Sequence, residues 1–293
     1  MLRAWAAHDA DTFRAFTDTV TRVTEQPLSR LRILDLGCGT NAPMTVCLTA
    51  AGADVTGVDA RPGHRWGLGI RPARYVQYAR EVGWMRTARK AAGELVYDRL
   101  YFNELARRTN LRLRDAGLDL RPMDIHTLDL PADAFDVVHS NATWEHLADV
   151  TAANRAVARV LRASGVAYLE IHLFPSLSGG HDLPWIVPGR TLLGDVRPWR
   201  HLRDAAWQPP VFLNRWRERD YRRAFEADPD LEIVEWQTEF TEGHDYLTDE
   251  VRHALPDYTD AELTTRSIIV VVRKRRAALT VAQAPEQRSR VAI

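Results

Sequence analysis

The sequence predicts an α/β fold built on a parallel sheet, and three observations carry that expectation. A short apolar run, Arg32-Ile33-Leu34-Asp35-Leu36, passes directly into a glycine turn, Gly37-Cys38-Gly39. A helical pattern follows at Met44, Val46, Cys47, Leu48 and Ala51 and stops at Gly52. A second apolar run over residues 53–59 ends on an acid, Asp59. Strand, glycine turn, helix and strand in that order form a βαβ unit, and such units build parallel sheets.

The remaining elements follow along the chain. Trp5, Phe13, Phe16, Val20 and Val23 recur at helical spacing, so residues 4–25 read as one or two helices ended by Pro27. Residues 60–121 are long for a simple crossover, with helical patterns at 75–92 and 95–108 interrupted by Gly83 and Gly93. A strand over 120–125 comes next, then a buried strand at 135–140. An amphipathic helix spans 149–161 and is closed by Ser164-Gly165, before another strand at 166–171. Residues 173–216 change character: they are rich in proline and hold Trp185, Trp199, Trp207 and Trp216, which suits a lid or binding loop. Final strands are expected at 231–236 and 267–272, with a capping box, Thr259-Asp260-Ala261-Glu262, between them. From Arg273 onward the chain is polar and aperiodic and reads as a disordered tail.

Composition excludes several functions. The 293 residues carry 39 Lys+Arg and 39 Asp+Glu, so the formal net charge is zero and a general nucleic-acid coater is ruled out. No apolar run approaches the roughly 18 residues of a membrane span, and the N-terminus is too interrupted by charge for a secretory signal. Two cysteines, Cys38 and Cys47, give no disulfide framework and point to a reduced, cytoplasmic protein. The neutrality is uneven: residues 61–121 hold 14 basic and 6 acidic residues, a net of +8 balanced by −8 elsewhere. An Arg-rich segment of this kind suits an anionic or carrier-bound acceptor.

Gly37-x-Gly39-x-x-Ala42, with Asp59 twenty residues beyond Gly39, matches the nucleoside-cofactor fingerprint. Asp35 decides between cofactors. A carboxylate beside this loop repels a pyrophosphate but suits a ligand with a positive centre and a free ammonium group. Ile33-Leu34-Asp35-Leu36-Gly37-Cys38-Gly39 resembles the first motif of class I S-adenosylmethionine-dependent methyltransferases. Val58-Asp59 resembles that family's ribose-binding acid, and Met123-Asp124-Ile125 its adenine-binding segment. Asp129-Leu130-Pro131, Phe135-Asp136-Val137-Val138, Glu145-His146-Leu147 and the run from Ala158 to Gly165 resemble its later landmarks, in order. Asn41 stands where the family often has a third glycine, and Gly165 stands alone where it often has two.

The resemblance covers residues 31–172 and implies a doubly wound, seven-stranded Rossmann-like methyltransferase sheet with a helical and loop cap. It implies cap helices at 1–28, a methyltransferase domain at 29–272 with the basic insertion at 61–121 and the lid at 173–216, and a tail at 273–293. It also implies S-adenosylmethionine bound by Asp35, Gly37, Cys38, Gly39, Asp59, Ala60, Asp124, Ile125, Ser140 and Asn141. Sites in such sheets lie beyond the carboxyl ends of the strands. That selects His146, His172 and His181 as candidate bases for a hydroxyl acceptor, with His181 first and Asp182 placed to orient an imidazole. His244 is a further candidate. His172, His181 and Asp182 are also types that ligate divalent cations, but no tight ligand spacing supports a metal site and none is expected. The four tryptophans suit an acceptor that stacks on aromatics. The expected function is methyl transfer to a small or medium-sized acceptor, O-methylation ahead of N-methylation. A non-catalytic scaffold of the same fold and a nicotinamide oxidoreductase are the rivals, and Asp35 with Asp124-Ile125 argues against the second.

Overall fold

The computed structural model describes residues 2–60, 80, 83–113, 117–186 and 196–276. Seven strands form one sheet: β1 (Arg32–Leu36), β2 (Asp54–Asp59), β3 (Asp119–Pro122), β4 (Phe135–Asn141), β5 (Leu161–His172), β6 (Leu231–Thr241) and β7 (Thr265–Lys274). Their order is β3-β2-β1-β4-β5-β7-β6. The first five strands run parallel, and β7 lies antiparallel between β5 and β6. This is the expected doubly wound seven-stranded sheet. The strand order reverses between β1 and β4, and that switch point opens a crevice beyond the carboxyl ends of both strands.

Both faces of the sheet are covered, which is why β1 and β4 read as continuous apolar runs. On one face lie α1 (Leu2–Thr24), α2 (Pro43–Ala50) and α3 (Trp84–Thr109). On the other lie α4 (Val150–Val160) and α5 (Glu218–Glu226). Two short helices, α6 (Asp249–Ala254) and α7 (Asp260–Thr264), precede β7, and Thr259 and Glu262 form the expected capping box on α7. The N-terminal segment is one helix, not two. Its buried stripe seats Phe16 edge-on against His139 and Tyr168, with ring centroids 5.0 and 5.4 Å away.

Several boundaries differ from expectation for identifiable reasons. α3 runs without a break through Gly93, because a helical glycine costs only about 1 kcal/mol and Tyr101, Phe102 and Leu105 bury against α1. The expected helix at 75–92 lies largely outside the described residues before Gly83. α4 ends at Val160, not at Ser164-Gly165: Leu161 is already extended and pairs with Phe135. β7 continues to Lys274, whose ammonium donates to Asp133 and to the Leu161 carbonyl, so the expected tail starts later and residues 277–293 lie outside the description.

The lid is irregular as expected, with single helical turns at Leu183–Ile186 and Arg200–Arg203 and residues 187–195 outside the description. Trp199 is fully buried and donates to the Leu263 carbonyl at 3.2 Å, so it forms the lid's own core. Truncating the anchor of α1, Phe16→Ala, is expected to lower unfolding stability by about 3–5 kcal/mol, measured by urea denaturation.

Candidate active site

At the carboxyl end of β1 the chain turns through Gly37 and Gly39, with φ of +77° and +71°. A Cβ on Gly37 would lie 2.2 Å from Thr143 Oγ1, so the position admits only glycine, whereas Gly39 faces open space. The amides of Gly37 and Cys38 both donate to the Val58 carbonyl, at 2.7 and 3.1 Å, which folds the turn back onto β2. Gly39 N–H donates to Asp59 Oδ2 at 3.1 Å. Beneath the turn, the buried Asp35 carboxylate accepts from Thr45 Oγ1 at 2.5 Å and from His139 Nδ1 at 2.8 Å.

Two cavities meet at Gly37. One, of about 660 Å³, is bounded by Asp59, Ala60, Met123, Asp124, Ile125 and His146. The other, of about 290 Å³, is bounded by Asp35, Cys38, Asn141, Glu170, His172 and His181, with Trp5 of α1 and Arg266 of β7 closing it. Asp124 accepts from the His126 amide and from its Nδ1, and these bonds hold its carboxyl below the usual carboxylate range. Burial, with Asp35 and Asp59 nearby, pushes the Cys38 thiol far up, so it serves as a neutral wall. Ser140 is brought to neither cavity: it is fully buried and its hydroxyl donates to the Leu36 carbonyl at 2.7 Å, tying β4 to β1. Trp5 and Arg266 come from the two ends of the described chain and carry no sequence signal, while Thr45, Thr143 and Glu170 lie close in sequence to expected site residues but belong to no motif.

Glu145 and His146 sit in a single 3-10 turn, Trp144–His146, and not one turn into a helix as expected. The turn is anchored by buried Trp144, which donates to Asn154 at 3.1 Å. Glu145 is buried with neither carboxylate oxygen hydrogen-bonded. Burial raises it to about 8, and the nearby Glu145 and His172 amides offset only part of that. His146 Nδ1 lies 2.9 Å from the Phe212 carbonyl. A carbonyl only accepts, so Nδ1 carries the hydrogen and Nε2 keeps the lone pair.

His172 ends β5 with Nε2 2.9 Å from Ser178 Oγ. The Ser178 hydroxyl donates its only hydrogen to Glu242, at 2.7 Å, so it must accept from His172 Nε2–H. His181 has a left-handed backbone, φ +58°, and its Nε2 is buried without a partner. Desolvation first, and His146 second, push His181 down to about 4; burial and the neighbouring His181 hold His172 well below its ordinary value. The His181 ring lies 4.9 Å from that of His146 and 5.1 Å from that of His172. Gly179 and Gly180 make this fold-back possible: a Cβ on the first would lie 2.2 Å from the Phe174 carbonyl oxygen, and on the second 2.5 Å from His201.

Other candidates fall elsewhere. Asp182 orients no imidazole; its Oδ1 accepts from Trp207 Nε1 at 3.4 Å. His244 lies in a turn, His244–Tyr246, and bounds neither cavity. None of the four lid tryptophans bounds them either; Trp199 and Trp207 are buried in the lid, Trp185 packs on Tyr246 and Trp216 on Tyr221. Among the described residues, no basic side chain of the 61–121 segment reaches the cavities; Arg107 and Arg108 pair with Glu104, and Arg121 with Asp119.

A sequence model of the family described as "Methyltransferase domain" matches residues 7–235. The chain belongs to the class I S-adenosylmethionine-dependent methyltransferases. An uncharacterized methyltransferase of Mycobacterium tuberculosis is 30% identical over 111 residues, 37% of this chain and 55% of that protein. The chain thus spans about half the length of the curated relatives it matches. Similar solved structures include an S-adenosylmethionine-dependent methyltransferase from Mesorhizobium loti (17% identity, 83% of this chain and 91% of that one, TM-score 0.45). Another comes from Methanosarcina mazei (16% identity, 84% and 92% coverage, TM-score 0.44).

The residues present fit the family's cofactor. Gly39 leaves open the space a side chain would fill, and Asp35, Asp59 and Asp124 bring negative charge to the two cavities. Met123 and Ile125 supply apolar wall to the larger cavity. A cation carrying a ribose and an aromatic base matches that donor set better than a pyrophosphate does. Gly37→Ala is expected to weaken S-adenosylhomocysteine binding by roughly tenfold or more, because a left-handed non-glycine residue costs on the order of 1–3 kcal/mol and Thr143 must also move. Calorimetric titration measures it.

Proposed function

We propose that this protein is an enzyme that methylates a hydroxyl group on a small or medium-sized acceptor. The observation that carries the reading is the juxtaposition, across Gly37, of a carboxylate-lined cavity at Asp59 and Asp124 with a histidine-walled cavity at His172 and His181. S-adenosylmethionine supplies, when bound, a methyl group on a sulfonium sulfur that keeps the carbon–sulfur electron pair as the methyl leaves. Asp59 binds the ribose and Asp124 with Ile125 the adenine, while Asp35 holds the glycine turn in shape through Thr45.

His146 takes the proton of the acceptor hydroxyl on Nε2, because the Phe212 carbonyl fixes the hydrogen on Nδ1. The oxygen lone pair released in this way forms the new oxygen–carbon bond. This reverses the ranking of the histidines expected from sequence: His181, held near 4, is a weak proton acceptor at neutral pH. The alignment of acceptor and methyl is a positioning task, which the Gly179-Gly180 fold-back and the wall from Trp5 serve. Arg266 of β7 bounds the histidine-walled cavity, where it is paired with Glu242 at 4.0 Å. The cysteines are buried free thiols, which suits a reducing cytoplasm, and among the described residues no helix is long and apolar enough to cross a membrane.

Calorimetry with S-adenosylhomocysteine tests the cofactor half. Binding is expected in the wild type, and Asp59→Ala weakens it roughly tenfold or more, the worth of a hydrogen bond to a charged group. Binding of a nicotinamide dinucleotide in its place would overturn the reading. Transfer of labelled methyl groups to a panel of hydroxylated and amino compounds tests the acceptor half. His146→Gln is expected to slow transfer roughly 10²-fold or more, and an unaltered rate removes His146 as the base.

A further inference from the structure

Glu145, His172 and His181 come from three separate elements: the turn after β4, the end of β5 and the loop after the glycine pair. Yet one ligand atom from each lies within 4.8 Å of the other two. The carboxylate is wholly enclosed and both its oxygens lack a hydrogen-bond partner, as does His181 Nε2. Leaving these three buried polar atoms of Glu145 and His181 unsatisfied together is costly. We propose that Glu145, His172 and His181 form a binding site for one divalent transition-metal cation, of which zinc is the best match.

The donor set selects the class of ion. Two imidazoles and one carboxylate suit zinc and its first-row neighbours, whereas magnesium and calcium require mostly oxygen. Three protein ligands leave a fourth position open, the arrangement of a catalytic site and not of a closed structural one. Two of the three ligands, His172 and His181, also bound the 290 Å³ cavity. An outer shell is in place as well. Ser178 receives the His172 Nε2 hydrogen and passes its own to Glu242, whose carboxylate also accepts from the Ser178 amide at 2.7 Å. Such a relay fixes the tautomer and ring orientation of a ligating histidine. The left-handed backbone of His181 is local strain spent on aiming that imidazole inward.

The role of the ion rests on the methyltransferase reading: held beside His146, it would bind the acceptor oxygen as a Lewis acid and make its proton easier to remove. The existence of the site does not rest on that reading. The full chain, stripped with a chelator and dialysed, is titrated with cobalt(II), and bound metal is counted by mass spectrometry. One equivalent per chain is expected, with visible absorption that zinc bleaches by displacement. Glu145→Gln and His181→Gln are each expected to weaken binding by roughly tenfold or more, while His253→Gln on the exposed face of α6 leaves it intact. Thermal melts confirm that each variant is folded. Absence of stoichiometric binding, or binding that survives both Glu145→Gln and His181→Gln, overturns the proposal. S-adenosylhomocysteine titrations on the same samples separate the two claims. A wild type that takes cobalt but not S-adenosylhomocysteine defeats the methyltransferase reading and leaves the cation site standing.

Discussion

The buried carboxylate of Asp35 is the point on which the site depends. It sits on β1, accepts from Thr45 on α2 and from His139 on β4, and so joins the three elements that surround the glycine turn. A carboxylate taken out of water requires such partners, and the partners can be supplied only if α2 and β4 are in register with β1. The register is in turn held by Ser140, which bonds the Leu36 carbonyl one residue before Gly37. His139 is itself clamped by Phe16 of α1 and lies 6.3 Å from the stacked ring of Tyr168 on β5. One polar group therefore couples the cofactor turn to both the helix layer and the middle of the sheet.

The elements nearest that carboxylate were the ones legible in sequence. β1, β2 and β4 are short parallel strands buried along most of their length, and their apolar runs end on residues with an evident duty: Gly37, Asp59 and Asn141. Elements farther away were blurred for definite reasons. Gly93 reads as a break because a helical glycine and a helix end share one residue type; only the burial of Tyr101 and Leu105 against α1 separates them. Ser164-Gly165 looked like a helix stop, but it is the bend by which β5 enters the sheet: Ser164 is left-handed, and a Cβ on Gly165 would lie 2.9 Å from the Arg162 carbonyl oxygen.

The site was legible in the same uneven way. Asp35, Gly37, Asp59, Asp124 and Ile125 declare themselves because each lies at or just beyond the carboxyl end of a strand. The tryptophans misled, since an aromatic lid needs its own core before it can present anything to a ligand, and Trp199 and Trp207 provide it. The gathering of Glu145 with His172 and His181 has no sequence spacing to betray it. It depends on the collision-free folding of Gly179 and Gly180, a feature of three-dimensional packing and not of pattern.

The antiparallel strand between β5 and β6 has a consequence for the making of the protein. β5 carries His172, whose neighbour across the ladder is Ser267 on the last strand of the chain. During synthesis the glycine turn and all five parallel strands leave the ribosome well before residue 265. Until then one long side of β5, mostly apolar from Val166 to Leu169, is an open edge with unpaired backbone groups, a template for association with other chains. A product truncated before β7 would keep the glycine turn, Asp59 and Asp124 and still carry that sticky margin. Pairing of β5 with β7 is thus the step that removes this open edge from the growing sheet.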